Sequence, residues 1–111
     1  MIQLAKNPSG LIYKCEKCRK IHIEFGSFLL KYTLDEFRQF AEYIININEK
    51  SFHCKRFDSN KKILIPIGHP DLQLLLTWYE LKNFQSLLRI AKSVHHEYSD
   101  FNLKYMQHNY N

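Results

Sequence analysis

The sequence predicts an α+β fold: a mainly antiparallel sheet built from two tandem βββα units, with two helices packed on one face. Three observations carry this. Apolar residues alternate and end at a glycine twice, as Ile21, Ile23, Phe25, Gly26 and again as Ile63, Ile65, Ile67, Gly68. A second alternating set follows each glycine: Phe28, Leu30, Tyr32 and then Leu72, Leu74, Leu76. Each copy then opens a T-x-x-E signature, Thr33 with Glu36 and Thr77 with Glu80, ahead of apolar residues at helical spacing. A pattern that switches twice from period two to period 3.6 is a duplicated strand–turn–strand–helix unit. The units span 10–48 and 51–98 of a single 111-residue domain, and 99–111 form a tail that either continues the helix or frays.

Taken in order, residues 1–9 read as a loose lead-in, with Asn7-Pro8-Ser9-Gly10 as turn chemistry. A strand over 11–14 follows, and Cys15-Glu16-Lys17-Cys18 makes a tight turn into the strand 21–25. Gly26-Ser27 suits a two-residue hairpin turn into 28–32. Helix one starts after Thr33 and buries Leu34, Phe37, Phe40, Ala41 and Ile44. The second unit begins near Phe52, with a strand candidate over 52–57 and a turn at Asp58-Ser59-Asn60-Lys61. Pro66 removes a ladder donor, which places the strand 63–67 at an edge or at a bulge. Gly68-His69-Pro70-Asp71 turns the chain into 72–76. Helix two runs from after Thr77 to about Glu97 and buries Leu81, Phe84, Leu87, Leu88, Ala91 and Val94. The helix-facing side of the sheet takes Ile21, Ile23, Phe25, Phe28, Leu30, Tyr32 and their echoes. The other side shows His22, Glu24, Lys31 and Gln73 together with Leu29, Leu64 and Leu75, a mixed face that a partner or a second copy could cover, although scattered exposed leucines more often carry no meaning.

Length and composition place the chain among folded proteins that need no disulfide staples. Three cysteines are too few, and odd in number, for a secreted framework. No apolar run approaches membrane-spanning length, so the expectation is a soluble cytoplasmic protein. The formal charge is +5, and two segments concentrate it. Lys14, Lys17, Arg19 and Lys20 stand against Glu16; Lys55, Arg56, Lys61 and Lys62 stand against Asp58. These segments occupy equivalent places in the two copies. Lys17, Arg19, Lys20, Lys55, Arg56, Lys61 and Lys62 are therefore the candidate anion-binding residues, with nucleic acid or an acidic protein as partner. The plainer alternative is lysines that keep sheet edges from pairing with other chains.

Cys15-x-x-Cys18 is the one chemical motif. Two thiolates at this spacing in a turn form half of a tetrahedral zinc site. Cys54 is the candidate third ligand, and His22 or His53 the fourth. Neighbours on a strand point to opposite faces, so Cys54 and His53 make a poor pair, which favours Cys15, Cys18, His22 and Cys54 around a structural zinc. The alternative is a pair of free thiols in a chain that folds without metal. A redox dithiol is less favoured, because the motif sits between strands and not at a helix N-terminus. His95-His96 suit the end of a helix, and His69 and His108 suit solvent.

The run Gly10-Leu-Ile-Tyr-Lys-Cys-Glu-Lys-Cys-Arg-Lys-Ile-His-Ile-Glu-Phe-Gly, with Thr33-Leu-Asp-Glu-Phe, Ile63-Leu-Ile-Pro and Leu76-Thr-Trp-Tyr-Glu-Leu, resembles a family of small uncharacterised C-x-x-C proteins from Bacteroidota. The resemblance implies a cytoplasmic bacterial protein and no transferable activity. No P-loop, dinucleotide fingerprint, nucleophile elbow or H-E-x-x-H is present, so the expectation is no enzyme. The sequence thus supports a binding or adaptor module with basic hairpins, zinc-stabilised or not. A self-associating homodimer without metal is the second reading, and a thiol-dependent redox protein the third.

Overall fold

The computed structural model describes residues 1–48 and 63–109, with side chains up to Val94. Its elements are β1 (Ile2–Asn7), β2 (Gly10–Lys14), β3 (Ile21–Phe25), β4 (Phe28–Tyr32), α1 (Leu34–Ile45), β5 (Ile63–Ile67), β6 (His69–Leu76) and α2 (Trp78–Asn109). The class is mixed α and β, as the alternation predicts. The strand candidate over 52–57 and the turn at 58–61 lie outside the described residues.

Strands β1 to β4 form one antiparallel meander in sequence order, and β5 pairs with β6 in a separate two-stranded sheet. Among the described residues this makes two antiparallel sheets, where the sequence reading has a single one. The first four strands follow one another through short turns, whereas a helix intervenes after β4 and carries the chain off that sheet. Residues 1–9 are also not a loose lead-in. Ile2–Asn7 pairs along β2, and the Asn7 side chain fastens the turn, its Oδ1 accepting from the amides of Ser9 and Gly10 at 2.9 Å. Gly10 sits where a neighbour comes too close for any side chain: a Cβ there would lie 2.5 Å from the Glu24 carbonyl oxygen.

The inner face of the meander carries Ile12, Ile21, Ile23 and Phe25, all buried, with Phe28, Leu30 and Tyr32 half-buried against them. Both helices lie on that face. Phe84 of α2 stacks on Phe25 with centroids 4.5 Å apart, and Phe40 of α1 meets Tyr32 at 4.9 Å. Ile63, Ile65, Ile67, Leu74 and Leu76 add the second sheet's apolar face to the same core.

Both capping boxes are formed. Thr33 Oγ1 accepts from the Glu36 amide at 3.2 Å while Glu36 Oε1 accepts from the Thr33 amide at 2.8 Å, and Thr77 and Glu80 repeat the exchange. The Gly26-Ser27 turn is as expected, with Gly26 at φ 57.

Three details depart from the sequence reading. The second hairpin turns at Gly68 alone, and a register shift in which Ile67 pairs with His69 but Pro66 with Gln73 leaves Pro70, Asp71 and Leu72 as extra residues on β6. That bulge puts Leu72 at 53 % exposure instead of in the core. Val94 is also exposed. Helix α2 runs past Glu97 to Asn109, the first of the two courses open to the tail.

Gln85 was not foreseen as a core residue. It is buried on α2, and its amide nitrogen donates to the carbonyls of Ile44 and Ile47 at 3.0 and 2.9 Å. A helix leaves its last carbonyls without intrahelical donors, and here the neighbouring helix supplies one.

Candidate metal centre

The centre is built on the connection between β2 and β3. The Cys15 amide donates to the Lys20 carbonyl and the Arg19 amide to the Cys15 carbonyl, both at 2.9 Å, which closes the six residues into a compact knuckle. Closure needs a left-handed residue, and Arg19 supplies it at φ 59, a position where glycine would be unstrained. Folded this way, the Cys18 amide points at Cys15 Sγ, 3.5 Å away. The Cys15 thiol is pulled below its ordinary pKa, first by that amide and then by the Cys18 side chain. Backbone donors aimed at a sulfur are what a thiolate ligand requires.

His22 enters from β3. It lies on the sheet face away from the helices, as the alternation predicts, but it is 7 % exposed and not open to solvent. The knuckle and Tyr13 cover it. Its Nε2 is 3.2 Å from Cys18 Sγ, and its Nδ1 is 3.0 Å from the Tyr13 hydroxyl. Burial holds the imidazole pKa below its ordinary value, and the positive charges of Lys31 and Lys20 add to this against an opposing effect of Glu24. A neutral imidazole is the form that binds metals.

Cys15 Sγ, Cys18 Sγ and a His22 ring nitrogen all lie within 4.8 Å of one another, a group that could hold a metal ion. A tetrahedral zinc with bonds of about 2.3 Å to sulfur and about 2.0 Å to nitrogen sets its ligand atoms roughly 3.5–3.8 Å apart. Closing on a metal therefore asks for side-chain adjustment and no rebuilding of the backbone. Of the four ligands the sequence put forward, the structure brings three together. Cys54 lies outside the described residues, as do His53 and the candidate anion-binding residues Lys55, Arg56, Lys61 and Lys62. Lys17, Arg19 and Lys20 are exposed on the knuckle itself, beside the ligand group. Glu16, also on the knuckle, turns toward the N-terminal ammonium, 3.9 Å away. His69 takes no part: its Nδ1 accepts from the Asp71 amide within the β6 bulge.

Tyr13, which the sequence suggests only as a stacking surface beside the basic segment, is the member of the site not expected near the metal ligands. The cross-strand register pairs it with His22, and that register follows once the knuckle is known to close between Cys15 and Lys20.

A family model matches residues 1–111. The chain belongs to the family of unknown function DUF6686. Membership of DUF6686 assigns no activity, so the chemistry has to be argued from the site. No curated protein and no solved structure matches the chain. Among the described residues, no helix is long and apolar enough to cross a membrane.

Proposed function

We propose that this DUF6686 protein is a small non-enzymatic binding module in which Cys15, Cys18 and His22 hold one structural zinc ion. The observation that carries the reading is the convergence of two thiols and a buried imidazole within 4.8 Å on one short connection. Two sulfurs and a nitrogen form a soft donor set suited to zinc over hard cations such as magnesium or calcium. Cys54 is the proposed fourth ligand. A zinc held by three cysteines and a histidine carries a net charge of −1, which the lysines and arginine around the knuckle offset. The ion would tie the β2–β3 connection to the body of β3. It would thereby fix Lys17, Arg19 and Lys20 as a basic surface toward an anionic partner, nucleic acid or an acidic protein, with Lys55, Arg56, Lys61 and Lys62 as its second half.

Native mass spectrometry of protein purified without a metal-affinity step tests this. The expected result is a mass excess of one zinc that is lost on mild acidification and absent from Cys18→Ser. A reduced occupancy in Cys54→Ser would identify the fourth ligand. A bare-chain mass for the folded wild-type protein, after reconstitution with zinc under reducing conditions, would overturn the reading.

A further inference from the structure

The ligating face of His22 has a counterpart on the other side of the ring. Tyr13 and His22 are directly opposed on β2 and β3, with ring centroids 4.8 Å apart and planes tilted by 44°. The Tyr13 hydroxyl lies 3.0 Å from Nδ1 while Nε2 faces Cys18 Sγ at 3.2 Å. With His22 only 7 % exposed, water has little access to stand in for either partner. We propose, resting on the metal-centre reading above, that Tyr13 is the positioning residue of this site, and that its hydroxyl lets His22 exchange tautomers as the metal arrives.

The argument is one of donor and acceptor counting. A neutral imidazole carries one N–H. The two ring contacts accommodate either tautomer. In the metal-free state proposed, the N–H sits on Nε2 and donates to the Cys18 sulfur, and Nδ1 then needs a donor. When Nε2 gives its lone pair to a metal, the proton must sit on Nδ1, which then needs an acceptor. A main-chain carbonyl or a carboxylate meets only the second demand. A phenol meets both, because the same oxygen donates or accepts after rotation of its hydrogen. Tyr13 therefore satisfies both states of Nδ1 by rotation of its own hydrogen, and only the ligand side chains have to adjust for uptake. The protons balance: the ring holds one before and after, Tyr13 keeps its own, and protons leave for water only from cysteine thiols that become thiolates.

The test compares wild type with Tyr13→Phe, with Leu29→Ala as a control elsewhere on the same sheet face. Zinc affinity is measured by competition with a chromophoric chelator, and cobalt(II) serves as a spectroscopic probe of coordination. The expected loss in Tyr13→Phe is about 10- to 100-fold in affinity, the range typical of removing a metal ligand's outer partner. Thermal unfolding of the metal-free protein should be little changed, and Leu29→Ala should bind as wild type does. Imidazole nitrogen NMR of the wild-type chain needs no variant. It should report the proton on Nε2 without metal and on Nδ1 with zinc bound. Equal affinity in Tyr13→Phe, or a metal-loaded His22 that keeps its proton on Nε2, would overturn the proposal while the metal centre stands. Failure of the wild-type chain to bind zinc or cobalt would remove both.

Discussion

Replacing Gln85 by leucine and, separately, by glutamate tests how the two helices are joined. The Gln85 amide nitrogen is 2.9 Å from the Ile47 carbonyl, 3.0 Å from that of Ile44 and 3.4 Å from that of Ile45, in a site only 8 % exposed. Leucine is close to glutamine in volume, so cavity formation contributes little and the cost is the lost donor. The Ile44 carbonyl retains the Ile47 amide at 3.2 Å, which leaves the Ile47 carbonyl bearing most of the loss. One hydrogen bond removed from a buried acceptor costs about 2 kcal/mol. Glutamate is worse, because its carboxylate would set acceptors against acceptors out of water. A penalty of at least about 3 kcal/mol is expected at neutral pH.

The glutamate variant also carries a sign. Its carboxyl would have a folded pKa raised above the unfolded value of about 4.3, so the penalty grows as pH rises through the interval between the two. Below that interval the protonated acid donates one hydrogen bond, and the variant should lie between the leucine variant and wild type. Urea unfolding followed by the fluorescence of Trp78, the single tryptophan, gives both quantities if the denaturant slope is unchanged. A leucine variant within 0.5 kcal/mol of wild type, or a glutamate variant whose deficit is the same at pH 4 and pH 8, would refute this account.

Two further perturbations probe β2 and the start of α1. Gly10→Ala would set a methyl group 2.5 Å from the backbone oxygen of Glu24 and 2.9 Å from Leu87 Cδ2. Main chain in a paired strand yields little, so a loss of about 2–3 kcal/mol in the same assay is expected, and a neutral result would mean that β2 and β3 can separate there. Hydrogen bonding from the Thr33 amide and then from its side chain holds the Glu36 carboxyl below its ordinary pKa. Its contribution is present above the unfolded value and is lost as pH falls through the lower folded one, so the stability gap between wild type and Glu36→Gln should narrow on acidification. A gap that widens toward acid would contradict the capping role.

Local pattern determined much of this protein. Period-two alternation closed by Gly26 and Gly68 specified β3, β4 and β5 to the residue, and the T-x-x-E signatures specified both helix starts. C-x-x-C with His22 four positions on was enough to nominate three of the candidate ligands, because the thiols and the strand entry are neighbours in the chain. What escaped the sequence depends on contacts between distant segments or on broken periodicity. β1 was invisible because Leu4 and Ala5 are both buried, a consequence of the register shift between Gln3 and Ala5 that disrupts the alternation. Leu72 departs for the same kind of reason, since it falls in the register shift of β6, where a strict period no longer assigns a face. Gln85 looks like a solvent residue until α1 ends beneath it. His22 reads as exposed until the knuckle folds over it and strand register sets Tyr13 alongside. Periodicity records which residues leave water, whereas the partners of buried polar groups are fixed only when the elements pack.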